Sequence, residues 1–162
     1  MNLMELSFFE GPAFQIILLF CFLVPAVLFI LTQYKTLNAV RLENRAMNPG
    51  LVWLQLIPLI GLVWQFFVVN NIAGSLRREI MARQDDSILG ISDAALAGAG
   101  ETKPTHGIGI AYCTLITCGV FINLFAVGAP GLSGLCSLAG LVCWVIYWVR
   151  LTRYKKLISL GI

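Results

Sequence analysis

The side chains able to carry chemistry are few in this chain, and they sit in apolar surroundings. There is one histidine, His106, and there are five cysteines, Cys21, Cys113, Cys118, Cys136 and Cys143. No two cysteines form a CxxC pair and none has a histidine beside it. Neither a metal set nor a redox dithiol is indicated, and each cysteine reads as a small buried hydrophobe. His106 opens an apolar run without a companion ligand and reads as a solvated loop histidine. Gly107-Ile108-Gly109 is not a phosphate loop, because the position a third glycine would take is Tyr112 and no strand precedes it. No metal and no cofactor is expected.

The remaining polar groups within apolar sequence are amides and hydroxyls: Gln15, Gln55, Gln65, Asn70, Asn71, Thr114, Thr117 and Asn123. Such groups link helices in lipid by hydrogen bonds worth about 0.6 to 2 kcal/mol. Trp53 and Trp64 are nearly eclipsed on an ideal helix, so one face would carry both indoles, a candidate ligand slot; Gln55 and Gln65, about 80° from each other around the axis, are further candidate contacts that need not share a partner. Thr117 and Asn123, with Thr114, are the candidate pore lining. Ionisable residues are costly in lipid and mark functional sites there. None lies inside the apolar runs, which argues against a proton-coupled transporter, an intramembrane metalloprotease and a dithiol quinone reductase.

These residues need elements to hold them. Only 12% of the 162 residues are charged and 59% are hydrophobic, where a soluble domain has about 25% charged residues. So few charges cannot cover a water-facing surface, but they can cover the ends of a bundle in lipid. A net charge of +3 is too small to suggest a nucleic-acid partner. Four stretches, about 12–34, 51–72, 107–128 and 131–149, approach the ~20 apolar residues of a spanning helix. The fold class expected is all-α: a single integral-membrane domain over 1–162, built as a four-helix bundle. Ala129-Pro130-Gly131 makes helices three and four a tight antiparallel hairpin. The first run follows Glu5 and Glu10 rather than a basic region, so it reads as a permanent helix and not a signal peptide. Gln55, Pro58, Gly61 and Gln65 leave a re-entrant second segment as the alternative to a full crossing.

Four crossings put eight basic residues on one side: Arg77, Arg78, Arg83, Lys103, Arg150, Arg153, Lys155 and Lys156. The other side holds three, Lys35, Arg41 and Arg45. The positive-inside rule then places both termini in the cytoplasm. Residues 75–106 form the expected cytoplasmic loop, with an alanine- and glycine-rich linker from Ala94. Residues 150–162 form a basic cytoplasmic tail. Arg77, Arg78, Arg83, Arg150, Arg153, Lys155 and Lys156 are the expected membrane-surface cations, anchoring topology against lipid phosphates.

Two stripes of small residues follow helical spacing: Ala111, Thr114 and Cys118 in the third segment, and Ser133, Cys136, Ser137 and Gly140 in the fourth. In lipid such stripes let helix backbones approach. They read first as packing between the two helices, and second as an interface with another copy. The function expected is that of a non-enzymatic membrane component, an accessory, scaffold or sensor that packs against itself or a partner subunit. A homo-oligomeric pore is the alternative, and a membrane-embedded enzyme using His106 or a cysteine is a third reading.

The stretch Glu43-Asn44-Arg45-Ala46-Met47-Asn48-Pro49-Gly50-Leu51-Val52-Trp53-Leu54-Gln55-Leu56-Ile57-Pro58, followed by Val63-Trp64-Gln65-Phe66 and Ile72-Ala73-Gly74-Ser75-Leu76, resembles a segment shared by a group of small bacterial membrane proteins. It covers about a quarter of the chain. The resemblance implies a bacterial inner-membrane location and brings no activity with it. The arginine-containing run Val40–Arg45 only faintly echoes the four-helix glutathione- and eicosanoid-metabolising membrane family. The polar residues that family carries along its second helix are missing here.

Overall fold

The computed structural model describes residues 12–86, 104–125 and 130–160, and all of the regular structure there is helical. The linker expected from Ala94, Lys103, and residues 126–129 of the turn between the last two segments lie outside the described residues. Helix α1 is Pro12–Ala39, α2 is Ile60–Asp86, α3 is His106–Phe125 and α4 is Pro130–Leu160. Three stretches are long and apolar enough to cross a membrane: Phe14–Ala39, His106–Phe125 and Gly131–Leu160. This is the fold of a membrane protein.

The helices overrun their expected ends. α1 continues through Lys35 to Ala39 because its last turns are packed, with Gln33, Thr36 and Leu37 buried. Arg45 then donates to the terminal carbonyls, Nε to Val40 at 2.9 Å and Nη2 to Asn38 at 2.8 Å, which satisfies acceptors that a helix end leaves open. The expected basic tail is helical as far as Leu160, and α4 at 31 residues is about 46 Å long at ~1.5 Å per residue. Charge was the wrong stop signal, since long basic side chains can stay on a helix and reach outward to water.

The second segment departs most from expectation. It is not one helix over 51–72. A 3-10 helix spans Pro49–Leu56, the chain turns at 57–59, and α2 then runs to Asp86, well into the expected loop. Asn48 starts the 3-10 helix, its Oδ1 accepting from Gly50 N at 3.0 Å. At the turn Leu59 has φ of 66°, a left-handed conformation that costs a branched residue energy. A Cβ on Gly61 would lie 2.3 Å from the Gln55 carbonyl oxygen, so only glycine admits this return.

The two limbs face each other along their length. Trp64 Nε1 donates to Leu51 O at 2.8 Å, and Ala46 N to Ser75 Oγ at 2.8 Å. Farther on, Arg41 N and Asn44 Nδ2 both donate to Glu79 Oε2. The chain therefore enters beside the end of α1, reverses, and leaves at the same end. One continuous helix over 51–72 is not formed, and the path of the chain has the shape of the re-entrant alternative.

α3 runs opposite to α2, with Gly109 against Val69 and Thr117 against Gln65. α4 runs opposite to α3, with Ser137 against Gly119, Ile116 against Gly140 and Tyr147 against Gly109. Phe29 of α1 meets Tyr112 of α3 and Trp144, Tyr147 and Trp148 of α4, with ring centroids 5.2–6.1 Å apart. The ends of α1 and α4, the start of α3 and both mouths of the re-entrant unit thus share one end of the molecule. Pro12, Phe125 and Pro130 share the other.

Packing is concentrated near the first end. Leu37, Val40, Val68, Val69, Ile72, Leu76, Tyr147 and Leu151 are all buried. Toward the other end Ile16, Ile17, Leu19, Phe20, Phe22, Leu23 and Val24 of α1 are all exposed, and together they cover more than half of the helix circumference.

Candidate functional site

Where α1 parts from α3 and α4, a cavity of about 630 Å³ opens. Its walls are Cys21, Phe22, Pro25, Ala26 and Phe29 of α1, Tyr112, Ile116 and Val120 of α3, and Ser137, Leu141 and Trp144 of α4. The re-entrant turn closes one end of it with Gln55, Leu56, Ile57, Pro58, Leu59 and Gly61, and α2 adds Leu62 and Gln65. Proline at 25 has no N–H for the Cys21 carbonyl, so the α1 wall carries a gap in its helical bonding. The lining holds no charged residue.

Its few polar groups are tied down unevenly. Gln55 Nε2 donates to Gln33 Oε1 at 2.6 Å and to Val52 O at 3.0 Å. Gln65 Nε2 donates to Thr117 Oγ1 at 3.2 Å. Behind the lining, the fully covered Tyr112 hydroxyl has no hydrogen-bond partner, and neither has Nε2 of Gln33, which is not a wall residue. A buried polar atom without a partner costs about 1–3 kcal/mol.

A second cluster lies at the packed end. Glu79 is fully buried and takes Asn44 Nδ2 at 2.8 Å, Arg41 N at 3.2 Å and Arg83 Nε at 3.0 Å, with Arg41 Nε at 3.5 Å. Burial pushes its pKa upward, but the hydrogen bonds from Asn44, Arg83 and Arg41 and the Arg83 charge outweigh burial and hold the carboxyl below its ordinary range. The cluster clamps the two limbs of the re-entrant unit.

The expected site residues are only partly assembled. Gln55 and Gln65 do line one cavity, but Trp53 and Trp64 do not face each other across a slot. The break at 57–59 puts them on different elements, with Trp53 exposed and Trp64 bonded to Leu51. In α4, Ser137 and Gly140 meet α3, and the Ser133 carbonyl lies 3.6 Å from a Cβ built on Gly119. Cys136 is half-buried. In α3 the contact face is Gly109, Tyr112, Cys113, Ile116 and Gly119. The expected stripe falls beside it, with Ala111 half-buried and Thr114 and Cys118 exposed. Thr117 is engaged by Gln65 while Asn123 is exposed, so Thr114, Thr117 and Asn123 do not converge on one lumen.

Of the basic residues, Arg83 is bound to Glu79. Arg77 and Arg78 border a shallow pocket with Asn70, Asn71 and Gly74. Arg150 and Arg153 are exposed at the same end, as is Lys156, with Lys155 half-buried. His106 is half-buried at the start of α3. Among the described residues no three His, Cys, Asp or Glu side chains come together as metal ligands.

Tyr112, Gln33 and Glu79 were absent from the sequence-derived candidates. A tyrosine at mid-span was a usable signal, and so was Glu79 standing one turn beyond Ser75 on the same face of α2. No protein-family model, no curated protein and no solved structure matches this chain.

Proposed function

We propose that the protein is a non-enzymatic component of a bacterial inner membrane, with three crossings and a re-entrant hairpin, that assembles through α1 with a second copy or a partner subunit. α3 and α4 form an antiparallel hairpin within it. The observation that carries the reading is the exposure of Ile16, Ile17, Leu19, Phe20, Phe22, Leu23 and Val24 in the first half of α1, while α3 and α4 pack on each other along their facing sides. Helices associate in lipid by van der Waals fit and interhelical hydrogen bonds rather than by hydrophobic burial. A span with this much of its surface exposed is the place for such a contact.

The re-entrant topology also changes the orientation argument. Lys35, Arg41, Arg45, Arg77, Arg78, Arg83, Arg150, Arg153, Lys155 and Lys156 all lie toward the packed end, where the four-crossing scheme had divided them. By the positive-inside rule this end is cytoplasmic. The C-terminal end of α4 then faces the cytoplasm, and Pro12 of α1 faces the opposite side.

Cys21 and Cys118 are exposed and report on the assembly. A short bis-maleimide applied to native membranes is expected to give a covalent dimer or a heteromer that Cys21→Ser removes. A protein of single-copy mass in nanodiscs, with no Cys21-dependent adduct in membranes, refutes the proposal.

A further inference from the structure

The arginines of the re-entrant unit divide into two kinds. Arg41 and Arg83 pair with Glu79, and Arg45 binds the last carbonyls of α1. Arg77 and Arg78 do neither. Among the described residues they make no ion pair and no hydrogen bond, yet both border a notch of about 350 Å³ together with Asn70, Asn71 and Gly74. The helix explains the notch. The five positions follow the three-and-four spacing of one helix face. Side chains on a helix lean toward its N-terminus, so Arg77 and Arg78 lean back toward the level of Gly74 and the two amides. Gly74 leaves the space between them open, since a Cβ built there meets nothing within 4 Å. Asn71 Nδ2 donates to Phe67 O at 2.7 Å. The guanidiniums carry five N–H donors each, and no acid shares the notch with them.

Depth and charge narrow the occupant. In the proposed topology the turn at 57–59 lies in mid-membrane, and the ~15 Å half-thickness of the hydrocarbon core equals about ten residues of helix. The core then ends near Asn70, and the notch lies in the headgroup layer. Below it the same side of α2 shows Phe67 at 45% and Val63 at 74% exposure, an apolar track leading from the notch into the lipid. Two cations without a countercharge favour an anion, and a guanidinium matches phosphate oxygens as a bidentate fork. A zwitterionic headgroup would set its ammonium beside two arginines. A soluble phosphate would leave the apolar track unused. We propose that this notch binds the headgroup of a phospholipid of net negative charge, with its phosphate on Arg77 and Arg78 and an acyl chain along Phe67 and Val63. Arg150 and Arg153 lie outside the notch and add only diffuse surface charge. The depth rests on the re-entrant path of the proposed function, which cysteine accessibility at Glu43 and Ser159 tests by itself. How α1 assembles does not enter.

The test is native mass spectrometry of the full-length protein in mild detergent, titrated with dioleoyl phosphatidylglycerol or dioleoyl phosphatidylcholine. Wild type is expected to hold phosphatidylglycerol more tightly than phosphatidylcholine. The double variant Arg77→Gln with Arg78→Gln is expected to bind phosphatidylglycerol about tenfold or more weakly, the range of charge-assisted hydrogen bonds. Gly74→Leu keeps both charges but fills the notch, and is expected to lose binding as well. Arg150→Gln with Arg153→Gln removes as much charge from the same end outside the notch, and is expected to bind like wild type. Glycerophosphoglycerol, the same headgroup without chains, is expected to compete poorly. Neither arginine has a partner in the fold and Gly74 faces open space, so without added lipid the variants are expected to melt like wild type. Four results overturn the proposal: equal binding of the two lipids, phosphatidylglycerol binding unchanged in Gly74→Leu, an equal loss in the Arg150 and Arg153 variant, or glycerophosphoglycerol competing at the concentration of the lipid itself.

Discussion

Asn44 donates its side-chain amide to Glu79 Oε2 at 2.8 Å, joining residues 35 apart in the chain. Arg41 N reaches the same oxygen at 3.2 Å, so one buried carboxylate holds the entry of the re-entrant unit against its exit. Truncating it to Glu79→Ala leaves two donors and Arg83 without their acceptor. The expected loss is about 3–5 kcal/mol, as for other broken buried pairs. Glu79→Gln keeps the shape and an acceptor but loses the charge, with an expected loss of about 1–3 kcal/mol. Thermal unfolding in mild detergent, followed by tryptophan fluorescence, measures both.

The same carboxylate gives the fold a pH dependence of defined sign. Its folded pKa lies below the ordinary value, so the unfolded chain takes up the proton first. The stabilisation is therefore complete above the unfolded carboxylate range near ~4.3 and is lost as pH falls through the lower folded value. Wild type is expected to lose melting temperature between about pH 5 and pH 3, and Glu79→Gln to show a flatter profile over that window. Parallel profiles would remove Glu79 as the source.

The re-entrant path predicts which sites share a compartment. Glu43 is exposed, at 72% of its side chain, and Ser159 is exposed near the end of α4. Cysteines placed singly at the two positions are expected to react with a membrane-impermeant maleimide from the same side, the cytoplasmic one. Four full crossings would put them on opposite sides. Spheroplasts compared with inverted vesicles separate the two outcomes.

The membrane character and three of the apolar segments were legible in the sequence, because a long charge-free run has few other uses. The second segment was not settled there, since a 22-residue uncharged run satisfies the length of a crossing and only Pro58 and Gly61 argued against it. What decides it lies elsewhere: the left-handed turn at Leu59, and Asn44, Ala46 and Arg41 bonding to residues 29 to 38 positions away. Tyr112 was hidden for a related reason. Its hydroxyl matters only because its neighbours in three dimensions offer no partner, and single-chain periodicity carries no record of that.

Of the glycines at close approaches, Gly61 and Gly109 are the tightest and are expected to tolerate a side chain least. A Cβ on Gly109 would meet Val69 Cγ1 at 2.5 Å and the Tyr147 ring at 2.9 Å. Overpacking of this kind costs about 1–3 kcal/mol. Gly61→Ala should cost more, because the atom it meets is a backbone oxygen that cannot rotate away. Gly74→Ala, with nothing within 4 Å, should be neutral or slightly stabilising, as expected for a helical glycine. Melting temperatures of the three variants test this ranking.

Gln33 and Gln55 tie the re-entrant hairpin to α1 at the depth of the cavity, through a 2.6 Å bond between their side chains. Gln33 is fully buried and its nitrogen has no partner, so the pair is already under-satisfied. Gln55→Leu removes the only donor to Gln33 Oε1 among the described residues and strands the whole amide, at an expected cost of about 1–3 kcal/mol. Gln33→Leu removes the group that carries the orphan nitrogen, and Gln55 Nε2 keeps the Val52 carbonyl at 3.0 Å. It should therefore be less damaging than Gln55→Leu. In the double variant no stranded Gln33 amide remains, so its loss should be smaller than the two single losses added together, by about 0.5–3 kcal/mol, as for residues in direct contact. Strict additivity in this cycle would mean that the two amides do not meet, and that the hairpin is held to α1 by its apolar contacts alone.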